Sequence, residues 1–413
     1  MLLATLIHRA SLPCPQVGPD QAAQLLMQHY GLTGALQSLG SQQDLNYKVD
    51  STRGRFVLKI CRGDYAAIEL QAQHAALNTL QAVRVPKVIK ALSGEELLTV
   101  TVDEQPLHLR LLDYIDGQPL THLPHLGRDV IAGFGDLCGR MSLALADFSH
   151  PGLDRTLQWD PRHARDLITH LLATLENLPH RAALEQAAEQ VEARIRPLAD
   201  RLPWQAVHMD ITDDNVVWQR DAQRHWQLQG VIDFGDLVHT WRIADLSVTC
   251  AALLHHAQGD PFAILPAVQA CHAVTPLQRE ELQALWPLIV DREAVLVMSS
   301  EQQQRLDPHN TYLLKNAEHE WEIFHVATSV PFELMEAAIL SSVGETLPSI
   351  ASQDFAPLLP GLVGREFALI DLGVLSPHFE AGNWEQPGID QRLLSEAAGV
   401  HGLAASRYGQ YRL

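Results

Sequence analysis

Two short segments in the second half of the chain carry the side chains best suited to chemistry. Residues 208–215 have the pattern His-x-Asp-x-x-x-x-Asn, and an apolar run later ends in Asp-Phe-Gly-Asp at 233–236. Phosphoryl transfer needs a carboxylate near the attacking hydroxyl and hard oxygen ligands for Mg²⁺ on a nucleoside triphosphate. The spacing therefore predicts Asp210 as the base and Asn215 and Asp233 as the metal ligands.

A phosphate-binding lysine is expected in the first part of the chain. Lys59 lies on an alternating strand, so its side chain falls on a defined face of a sheet. Lys48 is the competing candidate. Glu69, on the helix that follows, is predicted to pair with Lys59 and fix its position. The turn that begins near Gly40 and Ser41 has one glycine, and its backbone amides could cap phosphate groups.

The elements that must position these residues are short strands followed by helices. Residues 45–49 and 56–60 alternate between apolar and polar types around a turn at 51–54, which predicts an antiparallel hairpin. A helix is predicted before this hairpin, starting near Asp20, and another after it, over 66–80, with Ile68 among its inward residues. Strands near 97–102 and 107–114 complete a small lobe over residues 1–115.

The end of that lobe is predicted to be the hinge between two lobes. Asp113, Tyr114 and Ile115 end the last strand and would face the adenine or guanine ring of ATP or GTP.

Helical periodicity dominates residues 116–342. Helices are predicted over 131–148, 162–177, 182–202, 243–256 and 278–305, with a β-hairpin embedded between 206 and 237. The architecture is α+β, with a small antiparallel-sheet lobe, a larger mainly helical lobe and a ligand cleft between them. Residues 343–413 are rich in Pro and Gly and are predicted to be a linker or the start of a further module.

The amino-acid composition limits the kinds of partner that are expected for this protein. The 413 residues carry 30 Lys and Arg against 49 Asp and Glu, a formal net charge of −19, which disfavours nucleic acid. Five scattered cysteines without a Cys-x-x-Cys pair indicate reduced thiols in the cytoplasm. No apolar run reaches the length of a membrane span, so no membrane partner is expected.

These motifs resemble the aminoglycoside phosphotransferase and choline kinase superfamily over about residues 20–340. Segments 202–208, 230–236 and 307–313, followed by Trp321, are most similar to its hydroxylysine kinase-like branch. The resemblance implies a protein-kinase-like bilobal fold, ATP or GTP as donor and Mg²⁺ as cofactor. It also implies structural support of the site by His208 and Asp245. Some bacterial relatives carry further enzyme domains downstream, which residues 343–413 could begin.

The resemblance implies an acceptor that bears a hydroxyl group and usually an amine, so a small cationic substrate is expected. Carboxylates or aromatic faces would bind its ammonium group. The candidates for that role are Asp213, Asp236, Trp241, Glu301 and Trp321. Asp236 is favoured because it closely follows Asp233, the predicted metal ligand.

Three readings of the function stay open at this stage. The leading one is a kinase for a small amino alcohol or hydroxy amino acid, such as ethanolamine or 5-hydroxylysine. The second is an antibiotic kinase that acts on aminoglycosides. The third is a nucleotide-binding pseudokinase or regulatory module, which the presence of the base, both metal ligands and the lysine disfavours. A protein kinase is disfavoured because no Ala-Pro-Glu-like segment follows Asp233.

Overall fold

The structure is a computed structural model that describes residues 14–40, 44–175, 178, 180–306 and 311–345. Its first part is an antiparallel sheet accompanied by two helices. The elements in chain order are α1 Pro19–Tyr30, β1 Gly34–Leu39, β2 Leu45–Ser51, β3 Gly54–Arg62, α2 Ala67–Thr79, β4 Val88–Ile89, β5 Leu98–Val102 and β6 Gln105–Asp113. The strand order is β1-β2-β3-β6-β4, and β5 also pairs with β6.

The alternation in β3 divides its side chains between two environments. Leu58 and Ile60 point into an apolar cluster with residues of α1 and β6. Lys59 points to the opposite face, and its cross-strand partners there are Asn46 on β2 and Arg110 on β6. These three polar residues are buried. The predicted hairpin is confirmed, and its register fixes the direction in which the Lys59 side chain leaves the sheet.

The predicted helix over 66–80 is confirmed as α2, but its inward face was wrong at one position. Ile68 is 44% exposed, whereas Glu69, Gln73 and His74 are buried. Arg110 donates a hydrogen bond to Gln73 Oε1 at 2.6 Å, so the helix packs a polar row against the polar face of the sheet. Apolar periodicity assigns the buried face by hydrophobicity and therefore misses a helix that buries polar residues.

The second part of the chain is mainly helical, as predicted. Its core is a large apolar cluster to which α8 contributes many of the buried side chains. The elements are α3 Arg128–Leu145, α4 Pro161–Thr174, α5 Arg181–Ile195, β7 Trp204–Val207, β8 Val216–Arg220, β9 Trp226–Val231, β10 Val238–Trp241, α6 Ala244–Leu254, α7 Leu265–Val274, α8 Arg279–Leu306, α9 Thr311–Thr328 and α10 Phe332–Ser342.

The embedded β structure consists of two ribbons, where one hairpin was predicted. Strand β7 pairs with β10, and β8 pairs with β9. The chain crosses between the ribbons twice, once through residues 208–215 and once through residues 232–237. A backbone hydrogen bond of 2.9 Å from Ile232 N to Asn215 O joins the two crossings. This topology brings the two chemically interesting segments side by side.

The edge strand β1 was not predicted, because most of its residues are exposed and their sequence does not alternate. The proposed linker or further module over residues 343–413 lies largely outside the described residues.

In the part of the chain that the structure describes, no single helix is both long and apolar enough to cross a membrane. Residues His319–Thr328 and Phe332–Ser342 meet that criterion only as a pair bent by 80°.

Candidate active site

Asp210 and Asn215 form one rigid unit at the crossing between β7 and β8. The Asn215 amide nitrogen donates to the Asp210 carboxylate at 2.6 Å and to the Asp210 carbonyl at 3.1 Å. Both of these hydrogen bonds use the nitrogen of the amide. The amide oxygen is therefore the atom that Asn215 can offer to a cation.

His208 supports this unit as a neutral imidazole. Its Nδ1 accepts a hydrogen bond from the Asp210 backbone N–H at 3.2 Å, and its Nε2 donates to the Ile232 carbonyl at 3.1 Å. Burial lowers the pKa of His208 to about 4, against a smaller raising effect of Asp233. The imidazole thus links the two crossings of the β ribbons as a hydrogen-bonding group and does not carry the transferred proton.

Asp245, in the first turn of α6, braces the same loop from the other side. Its carboxylate accepts from the backbone N–H groups of His208 at 3.2 Å and Met209 at 2.6 Å. Met209 has φ 70°, a left-handed conformation that costs energy for a residue with a side chain. Burial raises the pKa of Asp245 to about 6, and the two N–H groups oppose that shift. The carboxylate holds the strained backbone in place.

Asp233 faces the lysine that the sheet delivers. Lys59 Nζ lies 3.3 Å from Asp233 Oδ1 and 3.7 Å from Asp44. Asp233 also has a positive φ, 55°, and its side chain accepts a hydrogen bond from Gly235 N at 3.1 Å. The Lys59 ammonium lowers the pKa of Asp233 against the opposing effect of partial burial, so Asp233 is a carboxylate.

The predicted pairing of Lys59 with Glu69 is not the arrangement found. Arg155 Nη1 lies 3.2 Å from Glu69 Oε2, and its Nη2 donates to the Gly235 carbonyl at 2.5 Å. Nη2 also lies 3.9 Å from Asp236. Sequence analysis missed Arg155 because it lies between two predicted helices, outside any regular pattern, and meets Glu69 only in the folded protein. Glu69 still connects the small lobe to the segment that carries Asp233, but through arginine.

Asp210 is an unusual carboxyl group. Burial raises its pKa to about 8, and the nearby charges of Asp236 and Asp233 act in the same direction, whereas Arg292 and the hydrogen bond from Asn215 oppose them. A carboxyl group with a pKa near neutrality is a strong proton acceptor when it is ionised. This property suits the role of a base toward a hydroxyl group.

A cavity beside this loop contains an arginine that the sequence reading did not single out. Arg292, on α8, lies with its guanidinium 4.6 Å above the ring of Trp159. Its Nη1 is buried without a hydrogen-bond partner among the described residues. The residues that line the cavity include Gln158, Trp159, Met209, Asp291 and Arg292. Because Arg292 also acts on the pKa of Asp210, it is a cationic group next to the candidate base.

The other predicted acceptor residues have packing partners of their own. Asp213 accepts a hydrogen bond from His256 Nε2 at 3.0 Å. Trp241 is buried in the core of the helical lobe. Trp321 donates to Glu301 at 3.0 Å. Among the five candidates, Asp236 is the one whose charge acts directly on Asp210, and the acceptor role of all of them stays a prediction.

The residues predicted to face the nucleotide base, 113–115, all lie within the described part of the chain. Asp113 is tied by its carboxylate to Arg84 at 2.7 Å and by its N–H to the Lys87 carbonyl. The Tyr114 N–H donates to Arg55 O at 3.0 Å. These two N–H groups are thus engaged, whereas Ile115 is a buried apolar side chain.

The turn that was expected to cap phosphates is described at Gly40, and Ser41 lies outside the described residues.

The arrangement fits a nucleotide with a divalent cation. The amide oxygen of Asn215 and the ionised carboxylate of Asp233 are hard donors held on adjoining crossings. Lys59 supplies a positive charge next to them. Asp210 remains beside this set as the group that can take a proton.

The sequence profile described as the phosphotransferase enzyme family matches residues 36–282. Hydroxylysine kinase from Danio rerio is 22% identical over 292 residues, covering 67% of this chain and 82% of the relative. Hydroxylysine kinase from Xenopus laevis is 23% identical over 335 residues, covering 75% and 89%.

Two solved structures share the fold. A microcompartment-associated aminopropanol kinase superposes with a TM-score of 0.56 at 18% identity, covering 78% of this chain and 98% of that one. An amicoumacin kinase in complex with AMP-PNP, Ca²⁺ and its ligand gives 0.59 at 13% identity, covering 80% and 97%. These likenesses establish the protein-kinase-like architecture that the resemblance implied.

Proposed function

The chain belongs to the phosphotransferase enzyme family, and we propose that it transfers the γ-phosphoryl group of ATP or GTP to the hydroxyl group of a small amino alcohol or hydroxy amino acid. One observation carries the proposal. The fold brings together three separate segments that carry Lys59, Asp233, Asn215 and Asp210. Lys59 contacts Asp233, a backbone hydrogen bond joins Ile232 to Asn215, and the Asn215 amide donates to Asp210.

Each residue has a role that follows from its chemistry. Asp210 accepts the proton of the acceptor hydroxyl as that oxygen attacks the γ-phosphorus. The bond from this phosphorus to the β–γ bridging oxygen breaks, and the nucleoside diphosphate leaves. Lys59 binds phosphate oxygens of the nucleotide in place of its contact with Asp233. Asn215 and Asp233 hold Mg²⁺. The chemistry that Mg²⁺ supplies when bound is neutralisation of the charge on the transferred group. His208 and Asp245 keep the loop in shape.

Arg292 favours a hydroxy amino acid among the possible acceptors. A guanidinium with a buried donor and no partner among the described residues is suited to a carboxylate, which it can bind with two parallel hydrogen bonds. The aromatic face of Trp159 holds the guanidinium plane in the cavity. Asp236, whose charge also acts on Asp210, is the candidate partner for the ammonium group. The names of the two hydroxylysine kinases agree with such an acceptor.

The test is a coupled nucleotide-consumption assay on the full chain. Hydroxy amino acids, amino alcohols and aminoglycosides are offered with ATP or GTP and Mg²⁺, and Asp210→Asn serves as the control. We expect turnover with a hydroxylysine-like acceptor and a loss of about 10²- to 10⁴-fold in the variant. Turnover with aminoglycosides alone would contradict the acceptor class. Tight nucleotide binding without turnover of any acceptor would contradict catalysis and favour a regulatory module.

A further inference from the structure

A second group of titratable side chains lies in the helical lobe, away from Lys59 and Asp233. His255 directly follows α6, Glu293 lies in the middle of α8, and Glu320 lies on α9. One ligand atom from each of the three residues lies within 4.8 Å of the other two. Three different helices therefore direct an imidazole and two carboxylates to one point.

Glu293 makes this group more than an acidic cluster. Its side chain is 0% exposed. Neither of its carboxylate oxygens has a hydrogen-bond partner among the described residues, and the same is true of Glu320 Oε2. A buried carboxylate without a partner is costly, so such a group needs either a bound cation or a proton. Among the described residues no lysine or arginine forms an ion pair with Glu293. The guanidinium of the adjacent Arg292 packs on the ring of Trp159, and its charge acts on Glu293 without a hydrogen bond.

The neighbours of the cluster are compatible with a cation. His255 stacks edge-on against His319, with ring centroids 4.7 Å apart. Burial, and then the charge of His319, lower the pKa of His255 to about 4, so its imidazole is neutral and has a lone pair to offer. Burial raises the pKa values of both Glu293 and Glu320, and the charge of Glu320 raises that of Glu293 further. Arg292 is the cationic neighbour, and Asp213 adds another negative charge.

We propose that His255, Glu293 and Glu320 form a binding site for one divalent transition-metal ion, with Zn²⁺ as the preferred occupant. One nitrogen and two carboxylate oxygens suit Zn²⁺, whereas Mg²⁺ prefers oxygen ligands and retains several waters. Zn²⁺ holds such ligands about 3.4 Å apart, so small side-chain adjustments close the cluster around it. Water completes the coordination.

The position of the site gives it a structural role. The ion would connect α9 to α6 and α8. His256, next to His255, donates to Asp213 in the loop between Asp210 and Asn215. Occupancy would thus stabilise the helical lobe on the side that supports the catalytic loop, without contacting the nucleotide ligands.

The experiment uses the full chain, stripped of metal with a chelator and then dialysed against ZnCl₂ without nucleotide. Bound zinc is measured by elemental analysis. We expect the wild type to bind one equivalent more than Glu293→Gln, and the affinity of the variant to fall at least about 100-fold. Zn²⁺ should raise the midpoint of thermal unfolding of the wild type and not of the variant. Mn²⁺ should bind more weakly, and Mg²⁺ should give no shift.

The controls separate this site from the nucleotide site and from adventitious binding. Glu336→Gln replaces a carboxylate that accepts a hydrogen bond from Gln283 at 2.8 Å, and should keep the full zinc content. Asp233→Asn should also keep it. His255→Gln, at a half-buried position, is the second variant should Glu293→Gln fail to fold. Equal zinc content in the wild type and in a folded Glu293→Gln or His255→Gln variant would overturn the proposal.

Discussion

Arg155 and Glu69 form a buried ion pair, with Nη1 and Oε2 3.2 Å apart, that joins helix α2 of the small lobe to the helical lobe. The same guanidinium donates to the carbonyl of Gly235, two residues after Asp233. The position of α2 and the position of Asp233, the proposed metal ligand, are therefore coupled through one side chain.

Arg155→Met removes the charge of this bridge while keeping most of the side-chain length. We expect the free energy of unfolding to fall by about 3 kcal/mol, because Glu69 is left buried without this partner. We also expect kcat to fall by about 10- to 100-fold, since Asp233 is no longer held in place. Denaturant unfolding and steady-state kinetics measure the two effects.

The matched control is Arg140→Met, which removes an exposed pair with Asp136 on α3. Exposed pairs contribute about 0–1 kcal/mol, so this variant should retain its stability and its kcat. An Arg155→Met protein that folds and turns over like the wild type would show that the bridge does not position Asp233.

Removal of the Asn215 amide is expected to weaken the binding of Mg²⁺. Asn215→Ala removes both the oxygen offered to Mg²⁺ and the hydrogen bond to Asp210. We expect the Mg²⁺ concentration for half-maximal rate to rise by at least about 10-fold. A titration of initial rate against free Mg²⁺ at fixed nucleotide measures it. The adjacent Asp214→Asn is the control, because Asp214 is exposed and accepts from Thr121; an equal shift there would refute the assignment of Asn215.

Replacement of Arg292 is expected to affect acceptors that carry a carboxylate more than acceptors that lack one. Arg292→Met should raise KM for a hydroxy amino acid by about 10- to 100-fold, since a hydrogen bond to a charged group contributes about 1.5–3 kcal/mol. KM for an amino alcohol without a carboxylate should change little. Because Arg292 also acts on the pKa of Asp210, the ratio of the two KM values within one variant is the informative quantity. Arg128→Met, at an exposed position, is the control, and a parallel rise for both acceptors would argue against carboxylate binding.

The sequence predicted those parts of the site that depend on local spacing. Asp210 and Asn215 are five residues apart on one loop, so their contact follows from the motif. The direction of Lys59 follows from the alternation of β3. The contact between Arg155 and Glu69 spans 86 residues and depends on how the lobes pack, which no local pattern records. Arg292 was missed because it lies inside a long helix, where a charged residue ordinarily faces solvent.

Buried polar residues were the main cause of error in the fold. The face of α2 that packs against Arg110 carries Glu69, Gln73 and His74, which apolar periodicity assigns to solvent. Burial lowers the pKa of His74 to about 3, so it is accommodated there as a neutral group. Such a polar helix face is stable when buried only if the facing sheet supplies hydrogen-bond partners. Here the partner is Arg110 on β6, which is distant in sequence from α2.

Asp291 predicts a change of stability with pH that is independent of catalysis. Its side chain is 7% exposed, and burial, with a contribution from Glu192, raises its pKa to about 7, against the opposing charge of Arg165. In the unfolded chain the pKa of an aspartate is about 3.9. Between these values the unfolded state loses its proton while the folded state keeps it, so the wild type loses stability as pH rises through this window.

Asp291→Asn cannot lose a proton and avoids this loss. We expect the variant to match the wild type near pH 4 and to exceed it at pH 8 by about 1–3 kcal/mol in the free energy of unfolding, because one pKa unit corresponds to about 1.4 kcal/mol. Urea denaturation at a series of pH values measures the difference. Asp166→Asn, at an exposed position of α4, should show no such dependence. A difference between Asp291→Asn and the wild type that is constant with pH would mean that Asp291 is ionised in the folded protein.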